Sequence, residues 1–151
     1  IETDLELIIP ETYVANISER LSLYSILDSI KTEEELLKFA DSLQDRFGSI
    51  PETVQDLVET VRLRWMAEQL GFEKLTIKGG RLKGYFVSSD NEAYFKSEAF
   101  GNILTYVQEN PKNCRLKEYK TKLILTVDEV TSIEEAKTIL NSILPTAIKG
   151  V

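Results

Sequence analysis

The chain has 151 residues, 42% hydrophobic and 28% charged, which fits one domain able to bury a proper core. Its lack of histidine and its single cysteine, Cys114, exclude Ser–His and Cys–His nucleophile pairs, histidine-ligated zinc, thiolate metal clusters and any internal disulfide. The net charge of −7 argues against a general nucleic-acid binder, which needs a basic footprint. A lone cysteine fits a reducing, cytoplasmic setting. No apolar run approaches the roughly 18 residues of a membrane span, and nothing near the start resembles a secretory signal. The opening residue, Ile1, suggests a piece of something longer.

In chain order, "TDLELII" (residues 3–9) alternates briefly before Pro10 and predicts a short strand. "NISERLSLYSILDSI" predicts a helix capped by Asn16, with Glu19 completing a capping box. Two apolar stripes run along it, Ile17, Leu21 and Tyr24 on one and Leu23, Ile26, Leu27 and Ile30 on the other. That pattern predicts a central helix sandwiched between neighbours. In "TEEELLKFADSLQDRFG", Thr32 and Glu35 form a second capping box and Glu33 and Glu34 occupy the favoured first turn. Leu36, Ala40, Leu43 and Phe47 make its apolar stripe, and Lys38, Asp41, Ser42 and Asp45 project opposite. Gly48 ends this helix and Ser49 with Pro51 begins the next, which runs through Val54, Leu57, Val58, Val61 and Trp65 to Gly71.

The period then changes. "FEKLTIKGGRLKGYFV" reads as a hairpin about Gly79–Gly80, "EAYFK" as a third strand, and Phe100, Ile103, Leu104 and Val107 as a helix ending before Pro111. "CRLKEYKTKLILTV" reads as a second hairpin, and Ser132 with Glu135 caps a last helix. The expectation is one α+β domain over residues 1–151, helical over residues 1–71 and β-rich over residues 72–151. It has a three-helix N-terminal layer packed with a small, mostly antiparallel sheet and two further helices. Its acidity lies in the first half: residues 1–72 hold 15 acids and 6 bases, residues 73–151 hold 10 and 12.

An enzyme built from this inventory rests on carboxylates, and most of those have plain structural uses. Glu33, Glu34 and Glu35 complement a helix dipole, and Asp128, Glu129, Glu134 and Glu135 sit at an element end and a cap. "KGGRLKG" lacks the order of a phosphate loop, and no metal-binding loop is recognisable. No cofactor is expected. Lys74, Lys78, Arg81 and Lys83 on one hairpin, and Arg115, Lys117, Lys120 and Lys122 on the other, alternate with Tyr85, Tyr94 and Tyr119. They are either solvated strand faces that protect sheet edges or a nucleic-acid face. Asp41 and Asp45 are likewise either a solvated helix face or a surface for a basic partner, since a helix C-terminus by itself favours cations.

"ISERLSLY", "KTEEEL" and "DRFGSIPETVQDLVETVRLRWMAEQLGFEKL" together resemble the C-terminal domain of bacterial transcription-repair coupling factors. The matching positions are Pro10 and Tyr13, Arg20 to Tyr24, Thr32 to Leu36, Asp45 to Gly48 with Pro51, and Arg62 to Arg64 with Ala67, Leu70, Gly71 and Lys74. The match is loose from Thr76 onward. The resemblance implies a non-catalytic regulatory domain of a DNA translocase. Such a domain packs on a UvrB-like module of the same parent chain, masks the surface that binds UvrA and restrains the motor. UvrA and RNA polymerase are then indirect partners, and direct DNA binding by this domain is not expected. The family's contact uses two acids spaced E-x-x-D before R-F-G. Here the second is Asp45, and Ser42 stands in place of the first. The resemblance therefore points to Asp45, with Asp41, about 100° round the helix from Ser42, and Glu34, beside Lys38 on the same face, as substitutes for the missing acid.

Overall fold

The structure is a computed structural model that describes residues 1–145. The elements are β1 (Glu2–Thr3), α1 (Ile17–Ser29), α2 (Glu33–Phe47), α3 (Glu52–Gln69), β2 (Phe72–Lys78), β3 (Arg81–Phe86), α4 (Glu92–Phe95), α5 (Glu98–Glu109), β4 (Cys114–Tyr119), β5 (Lys122–Asp128) and α6 (Ile133–Ile143). This is the expected α+β fold, with three N-terminal helices, a mostly antiparallel sheet and α5 and α6 beyond it. Two compact units divide the chain between Val61 and Arg62, inside α3. Unit 2 spans Glu6–Val61, and unit 1 comprises Ile1–Leu5 and the chain from Arg62 onward. Texture changes at Gly71, where helix gives way to strand; the first half of α3 belongs to one unit and its second half to the other.

In unit 2, the caps follow the side-chain chemistry. Asn16 accepts the Glu19 N–H at 3.0 Å and Thr32 accepts the Glu35 N–H at 3.2 Å, each satisfying a donor the helix leaves unpaired. The buried side chains are Leu23 and Leu27 of α1, Leu36, Phe39 and Leu43 of α2, and Val54, Val58 and Val61 of α3, with Ile9, Val14 and Ile30 beside the helices in sequence. The sandwiched α1 expected from its two stripes is not found. Ile17 and Leu21 are 65% and 61% exposed, and Ile26 is exposed as well. Only Tyr24 of the first stripe is engaged: its hydroxyl accepts the Ile9 N–H at 2.7 Å, holding the preceding segment over one end of α1.

In unit 1, the sheet order is β1-β2-β3-β5-β4, antiparallel except for the β1–β2 pair. Gly79 and Gly80 turn the first hairpin with φ of 59° and 74°, a two-residue turn that side-chain-bearing residues adopt poorly. The register places Leu75, Ile77, Leu82, Phe86, Leu125 and Val127 on one face, all buried. A bulge between Phe72 and Lys74 adds a residue to β2 and returns Phe72 to that same face. Ile103 of α5 and Ile133, Ala136, Leu140 and Ile143 of α6 are buried too.

Two strand expectations are corrected. Of the run 3–9, only the start pairs with β2: Thr3 donates to the Ile77 carbonyl at 2.7 Å and then accepts the Leu5 N–H, and the Asp4 carboxylate accepts the Gly79 N–H at 2.9 Å. These side-chain bonds add to the backbone bond from the Asp4 N–H to the Ile77 carbonyl at 3.2 Å, the last of the pairing. "EAYFK" is the single-turn helix α4, because Asn91 caps it by accepting the Tyr94 N–H and the Tyr94 ring joins Phe86, Phe95 and Phe100.

Candidate functional site

The acidic face belongs to α2, and its support comes from the opposite side of the helix. Leu36, Phe39 and Leu43 are buried, whereas Ala40 and Phe47, expected in the same stripe, are only half-buried. The C-terminal end is tied down by Tyr13, whose hydroxyl lies 3.1 Å from the Leu43 carbonyl oxygen and 2.8 Å from that of Gly48. The Tyr13 ring sits 5.7 Å from that of Phe47, and burial pushes its phenol pKa up. Gly48 takes φ 91° and donates its N–H to Gln44, closing the helix. Arg46 lies 4.7 Å over the Phe47 ring and pairs with Glu19 at 3.2 Å. Tyr13, Arg46, Phe47 and Gly48 thus form one clasp that stops the helix just past Asp45.

On the outer face, the helix places Glu34, Lys38, Asp41, Ser42 and Asp45 together, and all five are exposed. Glu34 and Lys38 pair at 3.3 Å with side chains 79% and 76% exposed, an i,i+4 contact contributing about 0.3–0.5 kcal/mol. That pairing occupies Glu34 locally. Asp41 and Asp45 have no cationic partner among the described residues, and with Ser42 and Gln44 they line a shallow, open depression. Asp45 stands in the last turn of α2, where the dipole disfavours anions, and Asp41 one turn before it. Leu37, one turn before Asp41, is 52% exposed. Its signal in the sequence is an apolar side chain outside the buried stripe.

The two basic hairpins meet on the sheet's other face. Lys74 and Lys78 of β2, Arg81 and Lys83 of β3, and Arg115 and Lys117 of β4 share it by register. Glu2 pairs with Lys74 at 3.5 Å and Lys78 at 3.3 Å. Asp128 is held by Arg115 at 2.8 Å and Arg81 at 3.3 Å. Lys122 pairs with Glu73. Tyr85 faces the same way beneath Lys74, whereas Tyr94 belongs elsewhere, donating its hydroxyl to the Leu70 carbonyl. The Arg115 guanidinium holds the Asp128 carboxyl below its usual range. A folded-state pKa depressed in this way stabilises the fold above the unfolded pKa, and that stability is lost as pH falls through the folded value. Asp128→Asn should therefore be less stable than wild type at neutral pH, and the gap in denaturation midpoint should shrink as pH falls below about 4. A gap independent of pH would show that the pairing contributes nothing.

No group of three or more His, Cys, Asp or Glu side chains among the described residues could hold a metal ion. Cys114 is buried and burial pushes its thiol pKa up, so it is a poor nucleophile. A cavity of about 480 Å³ is lined by Val87, Phe95 and Leu123 among others, with Glu92 and Glu118 at its rim. Both carboxylates are exposed. No described helix is long and apolar enough to cross a membrane.

The fold is an α+β one whose distinctive charges are spread on two open faces. The chain belongs to the TRCF domain family, whose model matches residues 3–97, past the end of the quoted motifs and through α4. It is 31% identical over 121 residues to the transcription-repair-coupling factor of Escherichia coli K12, covering 76% of this chain and 10% of that protein. The corresponding protein of Rickettsia bellii is 28% identical over 145 residues, covering 93% of this chain and 12% of the relative. The chain thus spans about a tenth of the length of these curated relatives. A crystal structure of the C-terminal domain of transcription-repair coupling factor shares the fold, with a TM-score of 0.73 at 15% identity, covering 94% of this chain and 90% of the other.

Proposed function

We propose that this chain is a non-catalytic, autoinhibitory domain of a transcription-repair coupling factor. It packs through the outer face of α2 on the UvrB-like module of its parent chain, masks the UvrA-binding surface there and restrains the DNA translocase. The observation that carries the reading is the uncompensated pair Asp41 and Asp45, one helical turn apart, on a face that packing leaves unused. Stability does not account for Asp45, because the helix dipole favours cations in the last turn. A basic partner surface does.

Asp45 is the central contact, Asp41 takes over some of the role of the acid replaced by Ser42, and Leu37 supplies an apolar rim. A desolvated charge pair contributes about 1–3 kcal/mol and an exposed one less than about 1. A contact of that size holds the resting state and still releases, as a switch requires. Placing Asp45→Lys in the full-length parent protein should raise UvrA binding roughly tenfold, about 1.4 kcal/mol, and raise basal ATP hydrolysis. If both remain at the wild-type level while the variant folds normally, α2 is not the clamp.

A further inference from the structure

We propose that the outer face of the sheet in unit 1 docks the phosphate backbone of double-stranded nucleic acid. The chain's total charge disguises this surface. Unit 2 holds 12 acids and 4 bases, whereas unit 1 holds 13 acids and 14 bases. The sheet register then gathers Lys74, Lys78, Arg81, Lys83, Arg115 and Lys117 on one face, against Glu2 and Asp128. At 0.1 M salt the screening length is about 10 Å, so the charge lying that close to a bound backbone decides attraction, and the total of −7 does not.

Geometry favours a duplex backbone over an acidic peptide or a single strand. The face crosses four strands, three spacings of about 4.8 Å, and a groove of about 310 Å³ runs along it between Lys74, Lys78, Arg81 and Lys83. An acidic peptide would be anchored by apolar pockets, and this groove has only polar and charged side chains with Thr76, Gly79 and the Tyr85 ring. A single strand needs open aromatic platforms for its bases. Tyr85 is half-buried, with the Lys74 ammonium 5.3 Å over its ring. Glu2 and Asp128 each brace two cations, which holds the side chains in place and tempers the affinity. Lys83 and Lys117 have no carboxylate partner among the described residues and are the free contacts.

The test is fluorescence anisotropy of the 151-residue chain with a labelled random-sequence DNA duplex, the same single strand, and a polyglutamate peptide. With Glu2, Asp128 and the Asp4 carboxylate at Gly79 set against six cations, a net three charges are engaged, and duplex affinity should fall roughly 40-fold between about 50 and 200 mM salt. Lys83→Glu with Lys117→Glu should weaken duplex binding at least roughly tenfold at the lower salt with the circular dichroism spectrum unchanged, and Glu2→Gln should tighten it. No duplex binding at low salt, a flat salt dependence, or equal or tighter binding of the single strand or the peptide would overturn the proposal. It uses no residue of α2, so it stands or falls separately from the clamp.

Discussion

Phe86→Ala should lower the unfolding free energy by about 3–5 kcal/mol, the largest single-site loss expected in the molecule. The side chain is 0% exposed and its ring lies 4.9 Å from Phe72, 5.8 Å from Phe100 and 6.1 Å from Tyr94, edge-on or tilted to each. Truncation removes a buried ring and opens a cavity between sheet and helices, and each lost aromatic pair adds about 0.5–1.5 kcal/mol to the burial. Trp65, the chain's single tryptophan, lies in the unit 1 half of α3 and reports on this unit by fluorescence during urea unfolding. The midpoint should drop with the slope unchanged. A drop equivalent to less than about 1 kcal/mol would mean that the aromatic cluster does not organise unit 1.

The second large effect is expected from Gly71→Ala, at about 2–4 kcal/mol. Gly71 has φ 89°, and a Cβ built there falls 2.0 Å from Cε1 of Tyr94. The backbone share of the cost is about 1 kcal/mol and the remainder is steric. The ring cannot swing away cheaply, because it packs on Phe86, Phe95 and Phe100 and its hydroxyl donates to the Leu70 carbonyl. In a Tyr94→Ala background the same substitution should cost only the backbone share, so a double-mutant cycle separates the two. Additivity of the two substitutions would refute the close approach. This packing also explains why a glycine closes the "LRWMAEQLG" segment: it ends a helix and leaves room for an aromatic ring from α4.

These two sites show where sequence reading reached and where it stopped. Caps and turns were legible because their causes are local. Asn16, Thr32 and Ser132 each accept an N–H three residues on, and Gly79–Gly80 adopts the positive φ that its turn requires. The α5 and α6 helices and both hairpins follow from periodicity for the same reason. Where tertiary contacts compete with local pattern, the reading failed. The first α1 stripe looks like core but is exposed at Ile17 and Leu21, because periodicity says which residues share a face and not whether anything covers it. The run 3–9 alternates like a strand, yet Thr3 and Asp4 give their side chains to the first hairpin. "EAYFK" has strand-forming residues but follows a capping Asn91 and sends Tyr94 into a cluster drawn from β2, β3 and α5.

The two candidate surfaces divide along the same line. The chain alone puts Glu34, Lys38, Asp41, Ser42 and Asp45 on one side of α2, since 3.6 residues per turn suffice for that. It also determined the absence of histidine and disulfide chemistry. The i,i+4 spacing already lets Glu34 pair with Lys38, whereas the lack of a cation beside Asp41 and Asp45 among the described residues is a property of the folded chain. The same holds for the cations of two hairpins whose turns, at Gly79–Gly80 and Lys120–Thr121, are far apart in sequence and which the β3–β5 pairing brings onto one sheet face. Strand order, and whether any distant cation reaches Asp41 or Asp45, depend on residues far apart in sequence, and no local periodicity encodes them.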